Sequence, residues 1–287
     1  MKHSTTIGCG PVIFRIGSDW AAPIQALDAL YAAYPKPAST IPHFTVRLEA
    51  TAWWRRWIAP SIAISGDFWL AEAAPLPLRL GLLAAEMAMN LQVALGERRF
   101  LLIHAASVEK EGRALILTGE SGSGKSTLAA LLATKGWRFL GDEFALIDPV
   151  TGLVHPFPRP TSLKNEAIAA MMARLPEDRF GPLLTDTPKG DLRHLVPPAG
   201  SLAAMHEPAM PALLIYPTYG AKTATRGVGK AENFVRLTQA STNYVALGEA
   251  GFGALTRFVN RVPAIAVDYP DSDAALRSVN RLWKAHS

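Results

Sequence analysis

Gly119-Glu120-Ser121-Gly122-Ser123-Gly124-Lys125-Ser126 follows the short apolar run at residues 114–118 and precedes a helical pattern that ends at Gly136. The eight residues fit G-x-x-x-x-G-K-[ST] in full. No other stretch constrains the fold as strongly, because a buried strand must hand over to a helix through a glycine turn here. The glycines let the backbone bend tightly and bring its N–H groups onto an anion without Cβ clashes. The helix that follows adds unpaired N–H groups and about half a positive charge. Lys125 supplies a full charge for the β- and γ-phosphates, and the Ser126 hydroxyl suits a Mg²⁺ ion. The expected nucleotide-binding set is Gly119, Glu120, Ser121, Gly122, Ser123, Gly124, Lys125, Ser126 and Thr127, with ATP and Mg²⁺ as cofactors.

Asp142 and Glu143 stand 17 and 18 residues after Lys125. A helix over residues 125–135 and a strand over 137–140 fill the gap, which returns the acids toward the loop end of the sheet. One carboxylate near Ser126 would hold Mg²⁺. Another could accept the proton of an attacking hydroxyl. An Asp-Glu pair after a strand is in general a solvated turn; its place beside a phosphate loop favours chemistry. The pair also looks like the end of a motor ATPase's second motif, but those lie farther from the loop lysine. No LSGGQ-like run is present either.

The rest of the chain bounds the setting. Of 287 residues, 49% are apolar and 18% charged, which is globular composition and enough length for a large core. Cys9 is the sole cysteine, so no internal disulfide can form and a reducing, cytoplasmic compartment is expected. No base neighbours Cys9 in sequence to make it a nucleophile. The first residues lack the apolar core of a secretory signal. Residues 76–95 are apolar but carry Arg79, Glu86, Asn90 and Gln92, so a buried helix ending at Gly96 is expected rather than a membrane span. The net charge of +5 is scattered, with no basic block alternating with aromatics, which argues against nucleic acid as a partner. Strands are expected at 12–16, 44–48, 101–108, 211–216 and 264–269. A helix is expected at 26–34, stopped by Pro35, and another from Asp271 to the C-terminus. Trp53-Trp54 with Arg55-Arg56 reads as core with snorkelling arginines rather than as a docking surface.

Residues 102–147, LIHAASVEKEGRALILTGESGSGKSTLAALLATKGWRFLGDEFALI, resemble the HPr kinase/phosphorylase family and more closely the HPr-kinase-related proteins of bacteria. The spacings from His104 to Gly119 and from Lys125 to Asp142 carry the likeness. It implies an α/β fold of the phosphoenolpyruvate carboxykinase type, with a twisted mixed sheet, over residues 98–287; residues 1–97 do not resemble the family's N-terminal domain and read from their own pattern as a smaller α+β region. It also implies catalytic roles for Asp142 as general base, for Lys125, and for His104 near the phosphates, with Ser126 and Glu143 as metal residues. Glu143 stands where HPr kinases carry a second aspartate, and their later Glu-x-Arg-Gly signature is absent. The expected acceptor is therefore a serine-bearing peptide or protein, or a small hydroxylated metabolite such as free serine, rather than HPr itself. Pro158-Arg159-Pro160-Thr161-Ser162-Leu163-Lys164-Asn165 looks like the PRPxSLKN stretch of the related proteins, which puts Arg159 and Lys164 forward as phosphate or acceptor residues. Lys189, in Thr187-Pro188-Lys189-Gly190 with His194, is a third, on a lid-like loop. Asn243-Tyr244 is expected to be structural. The overall expectation is an ATP-dependent serine kinase, open to homo-oligomers. A nucleotide-binding regulator without turnover is the rival, and a decarboxylating carboxykinase fits less well.

Overall fold

The computed structural model describes residues 2–37, 39–69 and 74–286. The first part holds β1 (His3–Cys9), β2 (Val12–Ser18), α1 (Ala21–Leu30), β3 (Phe44–Ala50), β4 (Ser61–Gly66), β5 (Leu76–Pro77) and α2 (Gly81–Gly96). Its strands form one five-stranded sheet in chain order, antiparallel except for the parallel β2–β3 pair. The helix expected at 26–34 instead starts at Ala21 and ends at Leu30. Pro23 is tolerated because it lies in the first turn, where its missing N–H has no intrahelical partner to lose. The segment Leu78–Gly96 is long and apolar enough to cross a membrane by length and composition, yet 61% of its 18-residue apolar window is buried inside the protein. Within it α2 packs against β3, β4 and α1.

The second part runs β6 (Leu101–Ile103), β7 (Ala105–Lys110), β8 (Arg113–Thr118), α3 (Lys125–Ala133), β9 (Arg138–Gly141), β10 (Ala145–Ile147), β11 (Val154–His155), β12 (Thr161–Lys164), α4 (Glu166–Met172), β13 (Phe180–Thr187), β14 (Gly190–Leu195), α5 (Ala199–Ala203), β15 (Met210–Tyr219), β16 (Ala224–Gly227), α6 (Lys230–Ala240), α7 (Gly248–Arg261), β17 (Ala264–Tyr269) and α8 (Ser272–His286). The expected last helix is thus described to His286; Ser287 lies outside the described residues. Its start follows from Asp271, whose side chain accepts the Ala274 N–H at 2.8 Å.

A six-stranded mixed sheet, ordered β16-β17-β15-β8-β7-β9, is the frame. β17, β15 and β8 run parallel, and β7 is antiparallel to both β8 and β9. β8 is buried on both sides by strict alternation. Ala114 and Ile116 face Leu255 and Phe258 of α7. Leu115 and Leu117 face Leu128 and Leu132 of α3 and Val279 of α8. Two three-stranded sheets, β11-β10-β6 and β12-β14-β13, flank this frame. The protein is therefore mixed α/β with several sheets. The core of the N-terminal sheet continues without a break into Phe144, Leu146 and Phe157.

Three further expectations change. Residues 101–108 are not one strand: His104 divides β6 from β7 because its N–H donates to Ala240 O at 2.8 Å and its carbonyl accepts the Thr118 hydroxyl. β15 does not stop before Pro217 but continues to Tyr219. Pairing with β8 ends at Ile215, so Pro217 lies where one side of the strand has no ladder to lose. Trp53 and Trp54 are not core. They sit on a short 3₁₀ turn joining β3 to β4, with Trp53 80% exposed, and Arg55 stacks on the outside of Trp54. Trp20 and Asp19 hold the turn at Arg56, while Trp53 stays on its outer side.

Candidate functional site

The run after β8 folds as a glycine loop. Gly119, Gly122 and Gly124 all take positive φ, which side chains with a Cβ resist. Gly124 serves as N-cap of α3 without any side-chain cap, and the first helical bond comes from Leu128 N to Gly124 O. The N–H groups at the start of α3 therefore have no partner within the helix and open onto the loop. Lys125 folds back: its ammonium donates to Gly119 O at 2.7 Å and to Glu120 O at 2.8 Å. Burial lowers its pKa, and Asp142 and Glu143 oppose that shift.

The acids arrive from the other side of the loop. β9 runs antiparallel to β7 and ends at Gly141, where any Cβ would come within 2.9 Å of Phe157 O. That close approach drives the chain into the sheet end and buries Asp142 directly after it. Burial is the first cause that pushes the Asp142 carboxyl up to about 7. Repulsion by Glu143 adds to it, while the Ser126 hydroxyl and Lys125 pull it back. Its Oδ1 has no hydrogen-bond partner. His104, at the break between β6 and β7, contacts Glu143 O through Nδ1 at 3.1 Å and lies 3.8 Å from the Glu143 carboxylate. Burial lowers the His104 pKa, against the pull of Glu143.

A cleft of ≈ 570 Å³ opens between these two sides. His104, Lys125, Ser126, Thr127, Asp142 and Glu143 line it, together with Ser121, Gly122 and Gly124. Lys164 at the end of β12 and Lys189 at the tip of the β13–β14 hairpin reach it as well. Asn165, at the unusual φ of 49°, holds that tip: a Cβ on Gly190 would meet its Oδ1 at 2.5 Å. Gly119, Glu120 and Ser123 belong to the loop but not to the cleft wall. Three buried polar atoms without partners gather around the loop, namely Ser123 Oγ, Asp142 Oδ1 and the Tyr269 hydroxyl. Buried polar atoms are almost always paired, and two of these three belong to residues of the cleft wall, Asp142 and Tyr269.

Other expected residues lie elsewhere. Arg159 is not in the cleft wall. It is buried in an ion pair with Glu86 and also donates to Asn90, tying α2 to the second part of the chain. Tyr31 completes that cluster by donating to Glu86 at 2.8 Å. His194 is on β14 rather than on a loop, wholly buried, with neither ring nitrogen partnered. Cys9 is buried too, and burial drives its thiol pKa upward, the wrong direction for a nucleophile. Asn243 is structural: it bonds Glu97 O, Phe100 O and Leu102 N.

Sequence reasoning missed Tyr219 and Tyr269 in the cleft wall. They are the last residues of β15 and β17, the two parallel neighbours of β8. The usable signal was positional, since ligands of such sheets gather at the carboxyl ends of parallel strands. No group of three or more His, Cys, Asp or Glu side chains forms a metal cluster among the described residues. A second, open concavity of ≈ 610 Å³ lies by β16 and α6, and none of its lining residues is acidic.

Residues 81–171 match the family described as SynChlorMet cassette protein ScmC, which is about a third of the chain. No curated protein matches. Among solved structures, the chain is similar to the Hpr(Ser) kinase/phosphatase from Coxiella burnetii at 14% identity and a TM-score of 0.30, covering 65% of this chain and 99% of that one.

Proposed function

We propose that the protein is an ATP-dependent kinase that passes the γ-phosphoryl group to a hydroxyl, most simply that of serine in a peptide, a protein or a small metabolite. One observation carries the reading. A glycine loop with its lysine and a buried carboxylate with an unpartnered oxygen face one cleft. The motif resemblance over residues 102–147 supports it.

In this reading the loop N–H groups and Lys125 take the phosphates, and Lys125 exchanges its two carbonyl partners for phosphate oxygens. Mg²⁺ bound with a triphosphate needs only one or two protein oxygens, so Ser126 and Glu143 suffice to hold it, and it would neutralise charge on the phosphates. Asp142 accepts the proton as the acceptor oxygen bonds to the γ-phosphorus and the bond to the β-phosphate oxygen breaks. A carboxyl poised near pH 7 is suited to that exchange. Lys164, Lys189 and His104 line the side where the acceptor would enter and can offset charge on the phosphoryl group in flight. Arg159, engaged with Glu86, has no part in it.

The test is Asp142→Asn, assayed with labelled ATP against free serine and serine peptides while ATP affinity is measured by calorimetry. A kinase loses orders of magnitude in rate with ATP still bound. A regulator would show no turnover in the parent protein and no change in the variant. Absence of ATP binding by the parent protein in the presence of magnesium would sink the reading altogether.

A further inference from the structure

A triphosphate is a rod with two ends, and the loop grips it in the middle. If its terminal phosphorus faces Asp142, the nucleoside must leave by the opposite flank. Along the sheet edge the order is β9, β7, β8, β15, β17. Asp142 and His104 stand on the β9–β7 side, while Tyr219 and Tyr269 end β15 and β17 on the other. Both tyrosines abut the loop. A Cβ placed on Gly124 would meet the Tyr269 hydroxyl at 2.7 Å and Tyr219 Cβ at 3.3 Å.

The two rings have different surroundings. Tyr269 belongs to the cleft wall at 3% exposed, and its hydroxyl is buried beside the loop without a partner. A buried phenol in general finds a partner, so an orphan one aimed at a phosphate loop points to a ligand oxygen. Tyr219 is 53% exposed. Its ring is held edge-on against Tyr269, with centroids 6.1 Å apart, and the Gly220 N–H donates to Tyr269 O at 2.9 Å, locking the two strand ends together. Tyr219 thus offers exposed, positioned ring surface in the cleft wall, of the kind on which a base stacks.

We propose that this flank is the nucleoside subsite of the phosphate donor: the base stacks on Tyr219, and the Tyr269 hydroxyl donates to the inner end of the phosphate chain. The proposal rests on the donor reading above. It adds that affinity comes from the nucleoside as well as from the phosphates. Stacking accepts any base face, so the subsite favours purines for their area without selecting one by hydrogen-bond pattern.

Calorimetry with Mg²⁺ and either ATP or inorganic tripolyphosphate separates the two readings. The parent protein should bind ATP about tenfold or more tightly than tripolyphosphate, the size of an aromatic–base stack. Tyr219→Ala should abolish that preference while leaving tripolyphosphate affinity unchanged, and Tyr219→Phe should keep it. Tyr269→Phe should weaken ATP about two- to tenfold, as one lost hydrogen bond does. Equal affinity of the parent protein for both ligands overturns the subsite and leaves the donor reading standing. So does a Tyr219→Ala variant that loses both ligands equally. A parent protein that binds neither ligand takes down the donor reading and this one with it.

Discussion

Replacing Asp142 by asparagine should change how stability depends on pH, and the size of the change follows from its burial. In the folded protein the carboxyl is pushed up from 3.8 to about 7, first by burial and then by Glu143. Between those values the native state keeps a proton that the unfolded chain has already released. The unfolded chain binds fewer protons there, so stability falls as pH rises. The slope for one group is about 1.4 kcal/mol per pH unit. Over that interval the ceiling is on the order of 4 kcal/mol, present in full below the unfolded value and lost as pH climbs through about 7. Urea unfolding of the ligand-free parent and Asp142→Asn at pH 5, 6, 7 and 8 reads this directly. The parent should lose stability relative to the variant across that range, with most of the gap open by pH 7. A gap that stays constant from pH 5 to 8 refutes the buried, proton-holding carboxyl and the general-base role built on it. Because the Glu143 carboxylate raises the Asp142 pKa by repulsion, second to burial, Glu143→Gln should lower the Asp142 midpoint rather than abolish the slope.

Three other outcomes follow from the same geometry. Gly124→Ala forces a Cβ into a backbone at φ +95° and to 2.7 Å from the Tyr269 hydroxyl, so it should cost about 1–3 kcal/mol in urea unfolding and abolish ATP binding in calorimetry. Wild-type ATP affinity would contradict the loop geometry. Glu86→Ala leaves Arg159 charged and buried without its partner, so about 3–5 kcal/mol of stability should be lost. A variant as stable as its parent in urea would mean that Arg159 is not committed to that pair and is free to serve the cleft. Trp53→Ser with Trp57→Ser alters side chains 80% and 67% exposed, so melting should shift by no more than about 0.5 kcal/mol per site. A large loss would contradict the exposure of the two rings.

Features set by neighbouring residues were legible in the sequence. The loop, the ends of β8 and β17, the stop of α3 near Gly136 and the Asp271 cap all depend on contacts within a few positions. The return of Asp142 to the loop was legible too, since one helix and one antiparallel strand leave the chain little choice of direction. What depends on distant partners was not. Arg159 sits in a stretch that reads as a basic loop, but its role is decided by Glu86, 73 positions earlier. The break at His104 hides in an apolar run, because its cause is a hydrogen bond to Ala240. Trp53 and Trp54 have the composition of core residues, but apolarity cannot say whether another element will arrive to cover a turn.

The tyrosines sharpen the same distinction. Tyr219 and Tyr269 are 50 residues apart and come together only because β15 and β17 pair in parallel, in a register that sets one opposite the other. A slip of one residue by either strand would turn its tyrosine to the opposite face and break the pair beside the loop. The flank that carries Lys125, Asp142 and Glu143, by contrast, is built by a single local excursion from α3 through β9. The rest of the cleft wall is set by elements that arrive from far along the chain, β12 and the β13–β14 hairpin with Lys164 and Lys189, and β15 and β17 with the two tyrosines. On the kinase proposed above, exchanging those later elements while keeping residues 102–147 would leave the phosphate grip in place and alter what it is offered.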